Sequence, residues 1–240
     1  MPSLEKYDRS LDYTYAPGIF PSMEALMKAP ERVRRLLLDD GADGEGIDAL
    51  LKLCAEKRVR AEVAPKALKR VSGKDNCFAA AVTAKVFSPL TGPKHIVLHH
   101  VMDRGNLGTI LRTALAFGYE DVGIIRPAAD VYDPHVVRSS MGAVFSLRVS
   151  EYDSFEEYME KERPGALYPF MLTGSCPVET AAAARPDRFS LIFGNEGSGL
   201  PEEFSGMGTP VRIRQTDRVD SLNLAVAAAV GMYTFASEGL

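Results

Sequence analysis

The sequence predicts an α/β protein with a small N-terminal α/β domain over residues 1–90 and a larger domain over 91–240. The larger domain is built on a parallel sheet covered on both faces. Three observations predict this. From residue 95 onward, short apolar runs of strand length alternate with helix-like segments, the pattern of consecutive βαβ units. Ser88-Pro89-Leu90-Thr91-Gly92-Pro93 is dense in turn formers and reads as the linker. The length of 240 residues suits one large domain or two small ones.

The elements follow in order. Ser22 to Leu38 carries apolar residues at helical more than strand spacing (Met23, Leu26, Met27, Val33, Leu36, Leu37) and is expected to be a helix. Asp48 is a candidate cap for a second helix, Ala49 to Lys57, and Pro65 to Val71 begins a third. Ala61–Val63 and Cys77–Phe87 are strand candidates. Beyond the linker, His95–Met102 is a continuous apolar run of strand length, and Leu107–Phe117 reads as a helix ended by Gly118. Asp121–Ile125 is the next strand, followed by a helical Pro134–Met141 and the segment Ala143–Val149. Ser154–Glu162 is helical, while Leu167–Leu172, Ser190–Gly194 and Pro210–Ile213 are strands. Asp220 to Ala236 closes the chain as a long apolar helix. Ligands of open parallel sheets bind beyond the carboxyl ends of strands. Chemistry is therefore sought in the loops after Met102, Leu172, Gly194 and Ile213.

Composition removes several function classes. With 46% apolar and 25% charged residues, the chain lies in the ordinary globular range, not the disordered or collagen-like ones. The longest uncharged apolar stretch, near Leu222–Ser237, is short for a bilayer. The N-terminal residues lack the pattern of a secretory signal. Cys54, Cys77 and Cys176 lie far apart, which fits reduced thiols and a cytoplasmic protein. His95, His99, His100 and His135 show no metal-ligand spacing, so no metal is expected. The net charge of −4 hides an asymmetry: residues 1–90 hold 15 Lys/Arg against 13 Asp/Glu, the remainder 13 against 19. Within 57–74, Lys57, Arg58, Arg60, Lys66, Lys69, Arg70 and Lys74 face only Glu62. Such a stripe is either a solvated surface or a site for phosphates, because salt screens distant repulsion over about 10 Å.

Three segments carry a chemical signal. Asp103-Arg104-Gly105-Asn106-Leu107-Gly108-Thr109-Ile110-Leu111-Arg112-Thr113-Ala114 leaves a strand and enters a helix. Asn106 there is a cap or a ligand contact. Arg112, among Ile110, Leu111, Ala114 and Leu115, is a structural ion pair or a grip on a phosphate or hydroxyl. In Phe193-Gly194-Asn195-Glu196-Gly197-Ser198-Gly199-Leu200, three glycines surround one carboxylate. The spacing is neither G-x-G-x-x-G nor a P-loop, which disfavours a nucleotide-dependent oxidoreductase. Glu196 suggests hydrogen bonding to a neutral or cationic ligand. In Ser221-Leu222-Asn223 at the start of the last helix, Ser221 is a candidate cap, and Asn223 is expected to satisfy buried backbone or a ligand.

Together these segments resemble the three motifs of the SpoU (TrmH-type) RNA 2′-O-ribose methyltransferases. Asn106, Gly108, Arg112, Thr113 and Ala114 match N-x-G-x-x-x-R-[TS]-A; Phe193, Gly194, Glu196, Gly197, Gly199 and Leu200 resemble F-G-x-E-G-x-G-L; Ser221, Leu222 and Asn223 resemble the S-L-N helix. Arg138-Ser139-Ser140-Met141-Gly142-Ala143 resembles a further family segment. The resemblance implies a C-terminal trefoil knot, which periodicity alone would argue against. It also implies a homodimer and S-adenosylmethionine contacted at Thr173, Gly194, Ile213, Ser221 and Leu222. The implied reaction is methyl transfer to a ribose 2′-hydroxyl of rRNA or tRNA. Arg112 would be the catalytic residue, with Asn106, Glu196 and Asn223 orienting it and the substrate. The N-terminal domain resembles the RNA-binding unit attached to this family, although Asp75-Asn76-Cys77 departs from the usual His-Gln-Gly. Arg60, Lys66, Lys69 and Arg70 are its candidate RNA contacts. The alternative is a catalytically idle RNA-binding or ribosome-assembly factor of the same fold.

Overall fold

Two larger sheets, one mixed and one wholly parallel, and a short two-stranded one organise the chain in the computed structural model, which describes residues 4–72 and 76–236. Lys74 and Asp75, which belong to the basic stripe and to the departure from His-Gln-Gly, lie outside the described residues. Contacts divide the chain into two compact units. Residues 1–86 and 130–146 form one; residues 87–129 and 147–240 form the other. The first boundary lies close to the expected linker. Residues 130–146, expected within the second domain, pack instead with the first unit.

The first unit contains strands β1 (Tyr13–Pro17), β2 (Val33–Leu38), β3 (Ala61–Val63) and β4 (Ala79–Ala84) in the order β1-β4-β2-β3. β4 runs antiparallel to both neighbours, and β2 and β3 are parallel. Helices α1 (Ile19–Lys28), α2 (Glu45–Lys57) and α3 (Pro65–Ser72) cover this sheet. Under α3 lies a core of Tyr15, Leu37, Leu68, Val71, Cys77, Ala80 and Val82. The expected helix over Ser22–Leu38 is corrected here. α1 stops at Lys28, and Val33–Leu38 is a strand. Pro30 has no N–H to continue a helix, and Leu36, Leu37 and Leu38 are buried between strand partners, where packing overrides propensity. Gly44, not Asp48, precedes the second helix, which begins at Glu45. The segment 130–146 is held by Thr14 Oγ1, which donates to the Tyr132 carbonyl, and by the Tyr132 hydroxyl, which donates to the Val86 carbonyl at 2.5 Å. It carries α5 (Pro134–Ser139) and a short turn at Ala143–Phe145.

The second unit contains β5 (Lys94–His99), β6 (Asp121–Ile125), β7 (Arg148–Tyr152), β8 (Ala166–Pro169) and β10 (Phe189–Phe193), all parallel in the order β7-β6-β5-β10-β8. The short β9 (Cys176–Pro177) and β11 (Val211–Arg212) pair with each other. The helices are α4 (Arg104–Ala116), α6 (Phe155–Glu162), α7 (Val178–Ala183) and α8 (Leu224–Ala236). Alternation along β10 divides the core. Ile192 joins Val97, Phe155, Tyr158 and Phe204 on one face, while Phe189 and Phe193 meet Phe235 and Phe170 on the other. The chain leaves β5 outward to β6 and β7, then returns to place β10 on the opposite side of β5. The space beyond the ends of β5 and β10 is therefore a topological switch point.

A buried carboxylate fixes the start of this sheet. Asp121, 1% exposed, accepts N–H bonds from Thr91 (2.9 Å) and Gly92 (3.1 Å) and pairs with Arg148 at 2.6 and 2.8 Å. Burial alone would raise its pKa, but Arg148 and the Thr91 N–H outweigh it and hold the carboxyl below its ordinary value. Because the folded value is depressed, this stabilisation is complete above about pH 4, the unfolded carboxylate value. It fades as pH falls through the lower folded value. Asp121→Ala strands two N–H groups and a partly exposed guanidinium. Urea unfolding at neutral pH should report a loss of about 2–4 kcal/mol, shrinking on acidification.

Candidate functional site

At the switch point a cavity of about 320 Å³ opens among the loops after β8, β10 and β11 and the start of α8. Its walls include Thr173, Gly194, Ile213, Ser221 and Leu222 together with Glu196. The five residues singled out for a cofactor thus share one cavity, although they are spread over fifty residues of sequence. The volume lies at the lower end of about 300–1,000 Å³, the usual range for small-molecule sites. Close backbone packing shapes it. A Cβ at Gly194 would lie 2.3 Å from the Gly199 carbonyl carbon, and one at Gly174 would lie 2.5 Å from that of Val211. Any other residue at either position would push the loops apart.

Glu196 links this cavity to the first motif. Its Oε1 accepts the Asp103 N–H at 2.9 Å, and Oε2 accepts the Met102 N–H at 3.2 Å. The carboxylate expected to meet a ligand is therefore engaged by the backbone that leads into α4. Asp103 is the true N-cap of α4, accepting the Asn106 N–H at 2.7 Å. Asn106 is left free of the capping role that the sequence offered it.

The second polar device joins α4 to α8. Ser221 lies outside α8, which begins at Leu224, so the expected helix start at Asp220 is corrected by four residues. Asn223 performs the capping expected of Ser221: its Oδ1 accepts the N–H groups of Ala225 (2.9 Å) and Val226 (3.3 Å). With its oxygen so used, the Asn223 amide nitrogen is the donor, and it donates to Asn106 Oδ1 at 3.0 Å. Asn106 is thereby oriented with its own amide nitrogen turned away from Asn223.

Arg112 departs from expectation. Instead of lying among its apolar neighbours, it is exposed with Thr109 and Ala116 on one stripe of α4, while Ile110, Leu111 and Ala114 are buried. Among the described residues it makes no ion pair, and it does not line the cavity. Of the four residues assigned to chemistry, three are therefore connected, Glu196 to the α4 start and Asn223 to Asn106, while Arg112 stands apart on the solvent side of the same helix.

Asn195 is a residue that the motifs left without a role. Its amide holds the glycine turn and reaches the carbonyl of His100. Its position between Gly194 and Glu196 was the available signal. Among the described residues no group of three His, Cys, Asp or Glu side chains is gathered to hold a metal ion. No described helix is long and apolar enough to cross a membrane. The basic candidates lie in the first unit. Arg60 leans on Glu62 (3.4 Å), Lys66 and Lys69 are exposed on α3, and the Arg70 guanidinium donates to the Leu4 carbonyl at 3.3 Å.

The profile of the SpoU rRNA Methylase family matches residues 93–233. A tRNA/rRNA methyltransferase of Synechocystis, uncharacterised, is 36% identical over 142 residues, 58% of this chain and 51% of the relative. The 23S rRNA (uridine(2479)-2′-O)-methyltransferase of Streptomyces viridochromogenes is 36% identical over 137 residues, 54% of this chain and 47% of the relative. The chain thus spans about half the length of these curated relatives. The crystal structure of an AdoMet-bound rRNA methyltransferase from Sinorhizobium meliloti superposes with a TM-score of 0.81 at 26% identity, covering 95% of this chain and 88% of that one. With its three motifs gathered at the switch point of a matching α/β fold, the chain belongs to the SpoU rRNA methylase family.

Proposed function

We propose that the chain is an S-adenosylmethionine-dependent methyltransferase acting on a ribose 2′-hydroxyl in RNA. The observation that carries this reading is the cavity at the switch point, whose Glu196 also fastens the helix bearing Asn106 and Arg112. The cavity suits the cofactor: Leu172, Leu200, Ile213 and Leu222 offer apolar surface, and Thr173, Gln215 and Ser221 offer polar contacts beside the loop amides. When bound, S-adenosylmethionine supplies a methyl group on a positively charged sulfur that a hydroxyl oxygen attacks in line. This chain's part is mostly positioning. Asn106 donates to the substrate's oxygen or phosphate. Arg112 favours a developing alkoxide through the positive charge of its guanidinium. An idle RNA-binding factor has no observation of its own in favour.

The reading extends to features that rest on the resemblance. The passage of the chain from β11 past Phe170 into α8 is consistent with a trefoil knot. Exposed Val226 and Tyr233 on α8, the latter with its ring centroid 5.6 Å from that of Phe117 just after α4, are a candidate homodimer face. The first unit is assigned to RNA through Arg60, Lys66, Lys69 and Arg70, and the 91–240 domain to methyl transfer. rRNA is favoured over tRNA because the matched family is described by rRNA and the Streptomyces relative is named for 23S rRNA. The reading carries a cytoplasmic location with it, where either RNA would be met.

Three outcomes test the reading. Labelled methyl should pass from S-adenosylmethionine to the ribose of cellular RNA, and Arg112→Ala should lower turnover by at least about 100-fold while cofactor affinity holds. Turnover like the wild type in that variant removes Arg112 from the chemistry. Asn223→Asp keeps the cap but loses the donor to Asn106, so kcat should fall about tenfold with the thermal midpoint retained; equal kcat refutes the relay. Replacing Lys66, Lys69 and Arg70 with Ala should flatten the logarithmic salt dependence of RNA binding by about 2, as for three lost phosphate contacts. An unchanged slope would clear this surface of RNA.

A further inference from the structure

Asn195 makes more polar contacts than any role in the motif requires. Its Oδ1 accepts the N–H groups of Gly197 at 2.9 Å and Ser198 at 3.2 Å, which fixes the other amide atom as the donor. That nitrogen donates to the His100 carbonyl at 2.8 Å and to Glu196 Oε2 at 3.3 Å. The backbone of the same residue closes the turn, exchanging bonds with Gly199 at 2.9 and 3.1 Å. Gly197 and Ser198 line the cavity. His100 follows β5 with φ of 58°, in the left-handed region, two and three residues ahead of the N–H groups that Glu196 binds. One side chain therefore touches the cavity loop, the turn that ends β5, and the carboxylate that holds the start of α4.

We propose that Asn195 is a positioning residue that makes the cavity loop and the N-terminus of α4 a single rigid body. This proposal rests on the methyltransferase reading. The methyl donor is held by the loop on which Asn195 sits. The residues that meet the ribose, Asn106 and Arg112, are carried by α4. In-line transfer depends on the register between them, and a misplacement of about 1 Å can cost on the order of 100-fold in rate. Glu196 supplies the charge that holds α4. Asn195 fixes where that charge sits, by a bond to its Oε2 and a second anchor on the preceding turn. Gln215, Thr173 and Ser221 also line the cavity, and among the described residues none of them bonds to the turn after β5 or to the start of α4.

Two variants separate the contacts. Asn195→Asp keeps an oxygen for Gly197 and Ser198 but loses the donor to His100 and Glu196. Asn195→Ala loses both. Calorimetry with S-adenosylmethionine should show affinity within about threefold of wild type for the aspartate variant and weakened about tenfold for the alanine variant. Both should lose about 10- to 100-fold in kcat with RNA KM little changed. Amide exchange on the protein alone supplies a readout independent of activity. The Met102 and Asp103 N–H groups should exchange faster in both variants, and those of Gly197 and Ser198 in the alanine variant alone. Unchanged exchange at Met102 and Asp103, or wild-type kcat in both variants, would overturn the proposal. If the wild type binds no cofactor, the methyltransferase reading fails instead, and exchange still decides whether Asn195 bridges the two segments.

Discussion

The placement of β10 beside β5 is the constraint on which the site depends. The two strands run parallel and in register, from Phe189 opposite Lys94 to Phe193 opposite Leu98, so their loops leave the sheet side by side. That adjacency lets a carboxylate at Glu196 reach the N–H groups of Met102 and Asp103, more than ninety residues earlier. It also lets the helix after β5 present Asn106 to the cap of α8. Burial of Leu98, Ile96, Leu191 and Ile192 fixes the register, because a shift of one residue would turn each strand's core residues toward the wrong face. Hydrophobic packing in the sheet thus positions polar groups at its end, where few apolar contacts are available to do so.

Much of the second unit was legible in the sequence because its strands are fully buried. Such strands read as continuous apolar runs bounded by turn residues, and β6, β10 and α6 fall within a residue of expectation. The first unit was less legible. Its second strand, Val33–Leu38, follows helix α1 after only four residues, and its apolar positions at 33, 36 and 37 also fit a helical face. Periodicity cannot separate those cases; Pro30 was the sign that a helix could not run through. β1 has an alternation too short to stand out. The grouping of residues 130–146 with the first unit depends on side chains such as Thr14 and Tyr132, 118 residues apart, which no local pattern reveals.

In the site, residue identities were more legible than roles. The motifs pointed to Asn106, Glu196 and Asn223, and the structure connects all three through hydrogen bonds. What the sequence could not supply was which atom meets which. Ser221 and Asn223 both belong among preferred N-cap residues, so a start at Asp220 and a start at Leu224 read alike. Arg112 looked buried because four of its near neighbours are apolar. Helical geometry instead places it with Thr109 and Ala116, three and four residues away on the exposed stripe.

The engagement of Glu196 bears on where the reaction's charge must be handled. A carboxylate offers about four lone-pair sites, and here three hydrogen bonds, from Met102, Asp103 and Asn195, occupy its two oxygens. It acts as a fastening for α4 and has little capacity left to accept a substrate proton. Asn106 and Asn223 exchange no protons at all, and their relay leaves a donor, not an acceptor, facing outward. Arg112 carries a fixed positive charge on the exposed stripe of the same helix. On the proposed reading the group presents donors and one cation to an incoming oxygen, while its acceptors, the Glu196 carboxylate and Asn106 Oδ1, are already engaged. Under the proposed methyltransferase reading, such an arrangement lowers the energy of a hydroxyl that is losing its proton, and it leaves the proton itself to solvent or to a phosphate of the substrate.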